Sequence, residues 1–151
     1  MVWTSPRTWV TAETVTAAIM NTHVRDNLLA IQPGSVLQPV LFSSGDFPLS
    51  TATGTGRLKL PFAATLDSVT ATVGVAATGA DVIVDVNLNA VTMFTTQANR
   101  PTITAASQDG VKATPDVTAI ASGDVITVDI DQIGSTLPGE NLTVILEITV
   151  P

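Results

Sequence analysis

Apolar residues recur at two spacings along the chain, and the change from one to the other divides it. Between Thr16 and Gln32, Ala17, Met20, Val24, Leu28 and Ile31 follow at steps of three and four. That spacing places them on one face of a helix of about four turns. Thr16 offers a side-chain oxygen to the first turn, and Pro33-Gly34 stands where a proline and a glycine end a helix. From about Thr55 onward the period is two. Leu58, Leu60 and Phe62 alternate with polar neighbours, as do Val82, Val84, Val86 and Leu88, then Ile126, Val128 and Ile130, and last Leu142, Val144, Leu146, Ile148 and Val150. This is the pattern of strands with one buried face. Two more strands are expected over 69–75 and 91–95, and another over 35–42 within a stretch rich in Ser, Thr, Gly and Pro.

Turn-forming clusters at Ala77-Thr-Gly-Ala, Ser122-Gly-Asp and Gly134-Ser-Thr-Leu-Pro-Gly separate these strands, with no helical pattern between them. The chain therefore reads as mainly β: an antiparallel β-sandwich, jelly-roll-like, preceded by an N-terminal arm and one α-helix. The expected boundaries are 1–32 for arm and helix, 33–55 for a linker with a possible strand, and 56–151 for the sandwich. The helical stripe also fits a short heptad seam of 17, 20, 24, 27 and 31, with Asn27 as a polar core position that would fix register in a parallel coiled coil. Two heptads are too short for a free coiled coil. The helix either forms a seam with symmetry mates or packs on its own domain, and in both cases it needs a partner.

Composition sharpens this picture. Charged residues make up 13% of the 151, and 45% are hydrophobic. Soluble domains usually carry about 25% charged residues, so much of the surface is expected to be covered, most simply by self-association. Six Lys and Arg against 13 acidic residues give a net charge of −7, which opposes nucleic-acid binding. The longest apolar runs fall far short of the roughly 18 residues that span a bilayer, and the N-terminus lacks the basic-then-apolar pattern of a secretory signal. Neither a nucleic acid nor a membrane is expected as partner.

Candidate chemistry is sparse. With no Cys and one His, a thiol nucleophile or an ordinary zinc site is not expected. His23 falls mid-helix, and no Gly-x-Ser-x-Gly elbow accompanies it. Gly54-Thr-Gly56 lacks the third glycine and following helix of a nucleotide loop. Carboxylates remain: by alternation, Asp81 and Asp85 share one outward strand face, and Asp129 and Asp131 another. A glycosidase would need a cleft with sugar-stacking aromatics, yet the β-region has neither Trp nor Tyr, and its Phe residues fall at apolar positions. Asp129-x-Asp131 could supply calcium ligands, but within a strand and without an Asp-x-Asp-x-Asp-Gly loop. The chain is expected to be no enzyme and to carry no cofactor. Trp3 and Trp9 flank Pro6 and Arg7 in a segment without strand or helix pattern, and two aromatics placed so are anchors for a neighbouring surface or a cover for this domain.

The string Thr8-Trp-Val-Thr-Ala-Glu-Thr-Val-Thr-Ala-Ala-Ile-Met-Asn-Thr-His-Val-Arg-Asp-Asn-Leu-Leu resembles the N-terminal segment of tailed-bacteriophage virion proteins. Gly56-Arg-Leu-Lys-Leu-Pro-Phe, Ile83-Val-Asp-Val-Asn-Leu-Asn, Phe94-Thr-Thr-Gln-Ala-Asn-Arg-Pro-Thr-Ile and Val128-Asp-Ile-Asp-Gln-Ile-Gly-Ser are similar to the β-rich domain that accompanies it in tail, fibre and other surface proteins. Together these matches cover most of the chain and do not distinguish parts of the particle. One departure is Leu88-Asn89-Ala90, where the family tends to have Lys-Asn-Gly; Ala removes the residue that accepts positive φ easily. The resemblance implies a structural protein of the virion, attached through its N-terminal segment to other phage virion proteins and displaying its β-domain as a trimer. Trp3, Trp9, Met20, Val24, Asn27, Leu28 and Ile31 are the expected assembly and docking residues. The second reading is a carbohydrate-binding β-sandwich that recognises a host-surface glycan, which calls for exposed aromatics on a sheet face or a calcium-supported site.

Overall fold

Thr16 starts the helix as its type suggests: its Oγ1 accepts the N–H of Ile19 at 3.3 Å. In the computed structural model, which describes residues 8, 11–25 and 35–150, α1 covers Ala17–Met20. The winding then widens into a π-helix over Asn21–Arg25. The chain divides after Ser35 into an N-terminal unit and a second unit, Val36–Val150. No described helix is long and apolar enough to cross a membrane.

Among the described residues ten strands follow: β1 (Ser35–Leu37), β2 (Val40–Ser43), β3 (Ala52–Lys59), β4 (Ala64–Val75), β5 (Val82–Leu88), β6 (Val91–Thr92), β7 (Thr102–Ile103), β8 (Ala119–Ile120), β9 (Val125–Gln132) and β10 (Glu140–Val150). One sheet runs β1-β10-β4-β8 with β2 also against β10, and the other β3-β9-β5-β6 with β7 also against β5. The pairings are nested. β5 pairs β6 across Asn89-Ala90, and outside that pair lie β4 with β8, β3 with β9 and β2 with β10, all antiparallel. One long ribbon is thus folded at residues 89–90 and rolled so that its strand pairs alternate between the two sheets, which is the jelly-roll form of the antiparallel sandwich.

The period-two residues supply the core. Leu66, Val69, Ala71 and Val73 of β4 and Leu142, Val144, Leu146 and Ile148 of β10 are buried, as are Val82, Val84 and Val86 of β5 and Ile126, Val128 and Ile130 of β9. A shift of register between Leu66 and Ser68 keeps both halves of β4 facing inward despite the break in their alternation.

Several elements differ from expectation. The strand expected over 35–42 is two strands, both paired with β10, with Gln38-Pro39 between them. Proline cannot donate to a ladder, yet the Pro39 carbonyl still accepts the Leu146 N–H at 3.0 Å. Much of the stretch expected as a linker therefore belongs to the sheets. The strand expected over 91–95 stops at Thr92, whose Oγ1 accepts the Phe94 N–H at 3.0 Å and turns the chain so that Met93 and Phe94 are fully buried. Asn89 and Ala90 do form a two-residue hairpin turn, with φ of 50° and 67°. Gly54 and Gly56, also at positive φ, sit where the β3–β9 register shifts. Their spacing makes bulges that bend an edge strand.

Candidate functional site

The expected docking residues fall partly within the described chain. Trp3, Trp9, Asn27, Leu28 and Ile31 lie outside the described residues. Met20 closes α1 and Val24 lies in the π-helix; they are 44% and 38% exposed. No residue of α1 is buried. Because the winding widens after Met20, regular α-helical spacing carries the stripe only that far, and a π turn is a local irregularity often associated with function.

The four aspartates expected on outward faces are structural. Asp81 Oδ1 accepts the Ala105 N–H at 2.8 Å, and Asp129 Oδ1 accepts the Gly54 N–H at 2.6 Å. Asp131 is ion-paired with Arg100. Asp85 is only 7% exposed, against its expected place on a solvated face. Its Oδ1 accepts the Thr92 hydroxyl and the Val86 N–H, both at 2.8 Å. Burial raises its pKa, a shift that these two hydrogen bonds oppose. The sequence pattern placed Asp85 correctly on the outer side of β5 but could not show that Thr92 would cover it. Among the described residues no group of three or more His, Asp or Glu side chains is gathered as a metal ion would require.

A polar groove is the feature that sequence reasoning missed. Its volume is about 480 Å³, and its lining includes Asn99, Arg100, Thr102, Thr104, Lys112 and Thr114 but no carboxylate. The fold builds it from a segment that crosses between sheets: Ile103 pairs with Val82 of β5, while Ala113 exchanges both backbone hydrogen bonds with Val69 of β4 at 2.8 Å. Arg100 Nε donates to the Gln97 carbonyl at 2.9 Å, and its Nη1 is ion-paired with Asp131. Lys112 is ion-paired with Glu147, whose pKa is lowered first by that lysine and then by the Ser68 hydroxyl. Beside the groove, Asp116 accepts the Thr96 N–H at 2.6 Å and the Thr95 hydroxyl at 3.2 Å, and these bonds lower its pKa. Arg100 and Lys112 stand 12 positions apart in the chain with no shared period, so no sequence signal joined them.

The aromatic side chains also depart from expectation at one place. Phe47 follows β2 and is 73% exposed, above a smaller hollow of about 300 Å³ bounded by Phe42, Leu49 and Ile130. It stands in a loop, so strand alternation did not place it. No protein-family model, curated protein or solved structure matches the chain.

Proposed function

We propose that the chain is a non-enzymatic structural protein of a bacteriophage particle, which associates through its N-terminal segment and displays the jelly roll on the virion surface. The observation that carries the reading is a short helical segment that buries none of its α1 residues and leaves Met20 and Val24 exposed. A helix this short, with apolar side chains uncovered, gains stability only when another surface covers it. The resemblance of residues 8–29 to virion attachment segments names the kind of surface.

Two features of the jelly roll support display. β2 is antiparallel to β10, with Val40 beside Ile145 and Ser43 beside Thr143, so the unit begins and ends at the same end of the sandwich. The loops at 44–51, 76–81 and 133–139 gather at the opposite end, where Pro48 bridges Glu140 and Thr78 bridges Leu137. Second, Val36, Leu37 and Val40 are exposed on the edge formed by β1 and β2. An apolar edge strand invites pairing with another chain unless it is covered.

The test is the mass of the full chain by light scattering at micromolar concentration, beside a Met20→Asp/Val24→Asp double variant, together with mass spectrometry of purified particles. The expected result is an oligomer, with a trimer favoured, that the double variant dissociates, and the chain among the particle's proteins. A mass of 15.6 kDa for the unaltered chain and its absence from particles would overturn the proposal.

A further inference from the structure

We infer that Phe47 and the hollow beside it receive an arginine side chain and its apolar neighbour from a partner protein. This stands apart from the assembly reading, because every group involved lies in the jelly-roll unit. Of the chain's four phenylalanines, Phe94 is fully buried and Phe42 and Phe62 pack against the core, while Phe47 alone is exposed. The loop that carries it is tied to the start of β10 on both sides of the ring. The Ser44 N–H donates to the Leu142 carbonyl, the Leu142 N–H donates to Ser44 Oγ and the Leu49 N–H donates to the Gly139 carbonyl, each at 2.9 Å. The Asn141 amide donates to Asp46 Oδ1, also at 2.9 Å. A ring held outward by a fixed loop is already ordered before a partner arrives, so little conformational entropy is lost on contact.

The charges around the ring select the partner. Asp46 precedes Phe47, and Pro48 follows it and bridges Glu140. Neither acidic residue has a cation partner among the described residues. The sandwich holds four of the chain's six Lys and Arg, namely Arg57, Lys59, Arg100 and Lys112, and none of them stands in the loops 44–51, 76–81 and 133–139 that form this end. A positive group therefore meets attraction here and no like charge within these loops. An aromatic face beside a carboxylate suits a cation that can stack. The guanidinium is planar, lies on a ring and turns its N–H fork to a carboxylate, whereas an ammonium is more strongly hydrated. The hollow of about 300 Å³, bounded by Phe42, Leu49 and Ile130, adds room for an aliphatic side chain next to that arginine. The occupant is thus a protein segment in which arginine adjoins an aliphatic residue, and as an isolated peptide it binds in the millimolar range.

The test is NMR titration of the full chain with the acetylated, amidated tripeptide leucine-arginine-leucine, beside the same peptide with citrulline, the neutral isostere, in place of arginine. Expected are saturable amide shifts at Asp46, Phe47 and Leu49 with the arginine peptide and clearly weaker binding of the citrulline peptide. Phe47→Leu keeps apolar bulk but removes the ring face, and should weaken the arginine peptide about threefold. Asp46→Asn keeps an oxygen for the Asn141 amide and removes the charge, and should weaken it by a similar factor, about threefold. Asp109→Asn, at an exposed carboxylate outside these loops, should leave binding unchanged. The absence of saturable shifts with the arginine peptide up to tens of millimolar overturns the inference. So does citrulline binding as tightly as arginine, which would make the loop a simple apolar contact, and so does equal loss in the two aspartate variants. Because the titration reads the isolated chain, its failure leaves the assembly proposal standing, and a monomeric mass leaves this one standing.

Discussion

Ala90 holds a strained, positive φ in the turn between β5 and β6, and replacing it with glycine should stabilise the protein. Its φ is 67° and that of Asn89 is 50°, the two positive values that a two-residue hairpin turn needs to match the strand twist. Asn89 is well suited: its N–H donates to the Val125 carbonyl at 2.8 Å, its amide donates to Asp124 at 2.8 Å, and its Oδ1 accepts the Val125 N–H at 3.1 Å. Ala90 is exposed and gains no packing from its methyl group. A non-glycine residue in this region costs about 1–2 kcal/mol, while glycine gives back about 0.5–1 kcal/mol in unfolded-chain entropy. The net gain for Ala90→Gly is about 0.5–1 kcal/mol, or a rise in Tm of about 2–4 °C. Because this turn closes the innermost strand pair of a nested ribbon, the gain should appear in refolding, as an acceleration of about two- to fivefold. Thermal melting and stopped-flow refolding in urea measure both. Ala119→Gly, at an exposed position of β8, should lose about 0.5–1 kcal/mol instead. An unchanged or lower Tm for Ala90→Gly would refute the strain argument, and a gain confined to the unfolding rate would refute early closure of the turn.

Other consequences are equally direct. Asp85→Asn keeps an acceptor for Thr92 and Val86 and removes the charge whose burial raises the carboxyl pKa. A group that holds its proton more tightly when folded costs stability at neutral pH and regains it below its unfolded pKa, so the variant should melt higher than the parent at about pH 7, with the gap closing by about pH 3; a gap that does not vary with pH would contradict this. Gly134→Ala drives a Cβ into the Leu137 carbonyl oxygen and to 2.9 Å from the Thr78 carbonyl oxygen, and urea unfolding should show a loss of about 3 kcal/mol. Val40→Lys puts a charge on the exposed edge beside Ile145 and should lower self-association seen by sedimentation while leaving the far-ultraviolet circular dichroism unchanged.

The long strands were legible because each buries one face and therefore must alternate. β5, β9 and β10 show inward residues at every second position for seven, eight and eleven residues. The short strands were not legible. β6, β7 and β8 have two residues each, a single repeat of the pattern, and are fixed by partners 3 to 56 positions away rather than by their own spacing. The break in β4 near Ser68 and the bulges at Gly54 and Gly56 show the same limit. A period-two pattern reports which face is buried, and a bulge changes that face without changing composition.

The candidate sites follow this division. Of the helical stripe, the Thr16 cap and the start of α1 were legible, but the widening of the winding after Met20 was not, because the spacing of apolar residues does not distinguish an α turn from a π turn. Asp85 was half readable: alternation put it outside the core of β5, but Thr92, on the strand that returns through the Asn89-Ala90 turn, shields it. The groove was unreadable because its chemistry belongs to the closure of the roll. Thr102 joins β7 to one sheet, Ala113 bridges the other, and only after both are seated do Arg100 and Lys112 face one hollow. Non-strand segments of a jelly roll are free of the alternation that strands must obey, so they can place charges that the core would reject. In this chain that freedom is spent on the segment 93–118, which apart from the two residues of β7 is free of strands, fills the core with Met93 and Phe94 at its start and presents two of the sandwich's four cations at its surface.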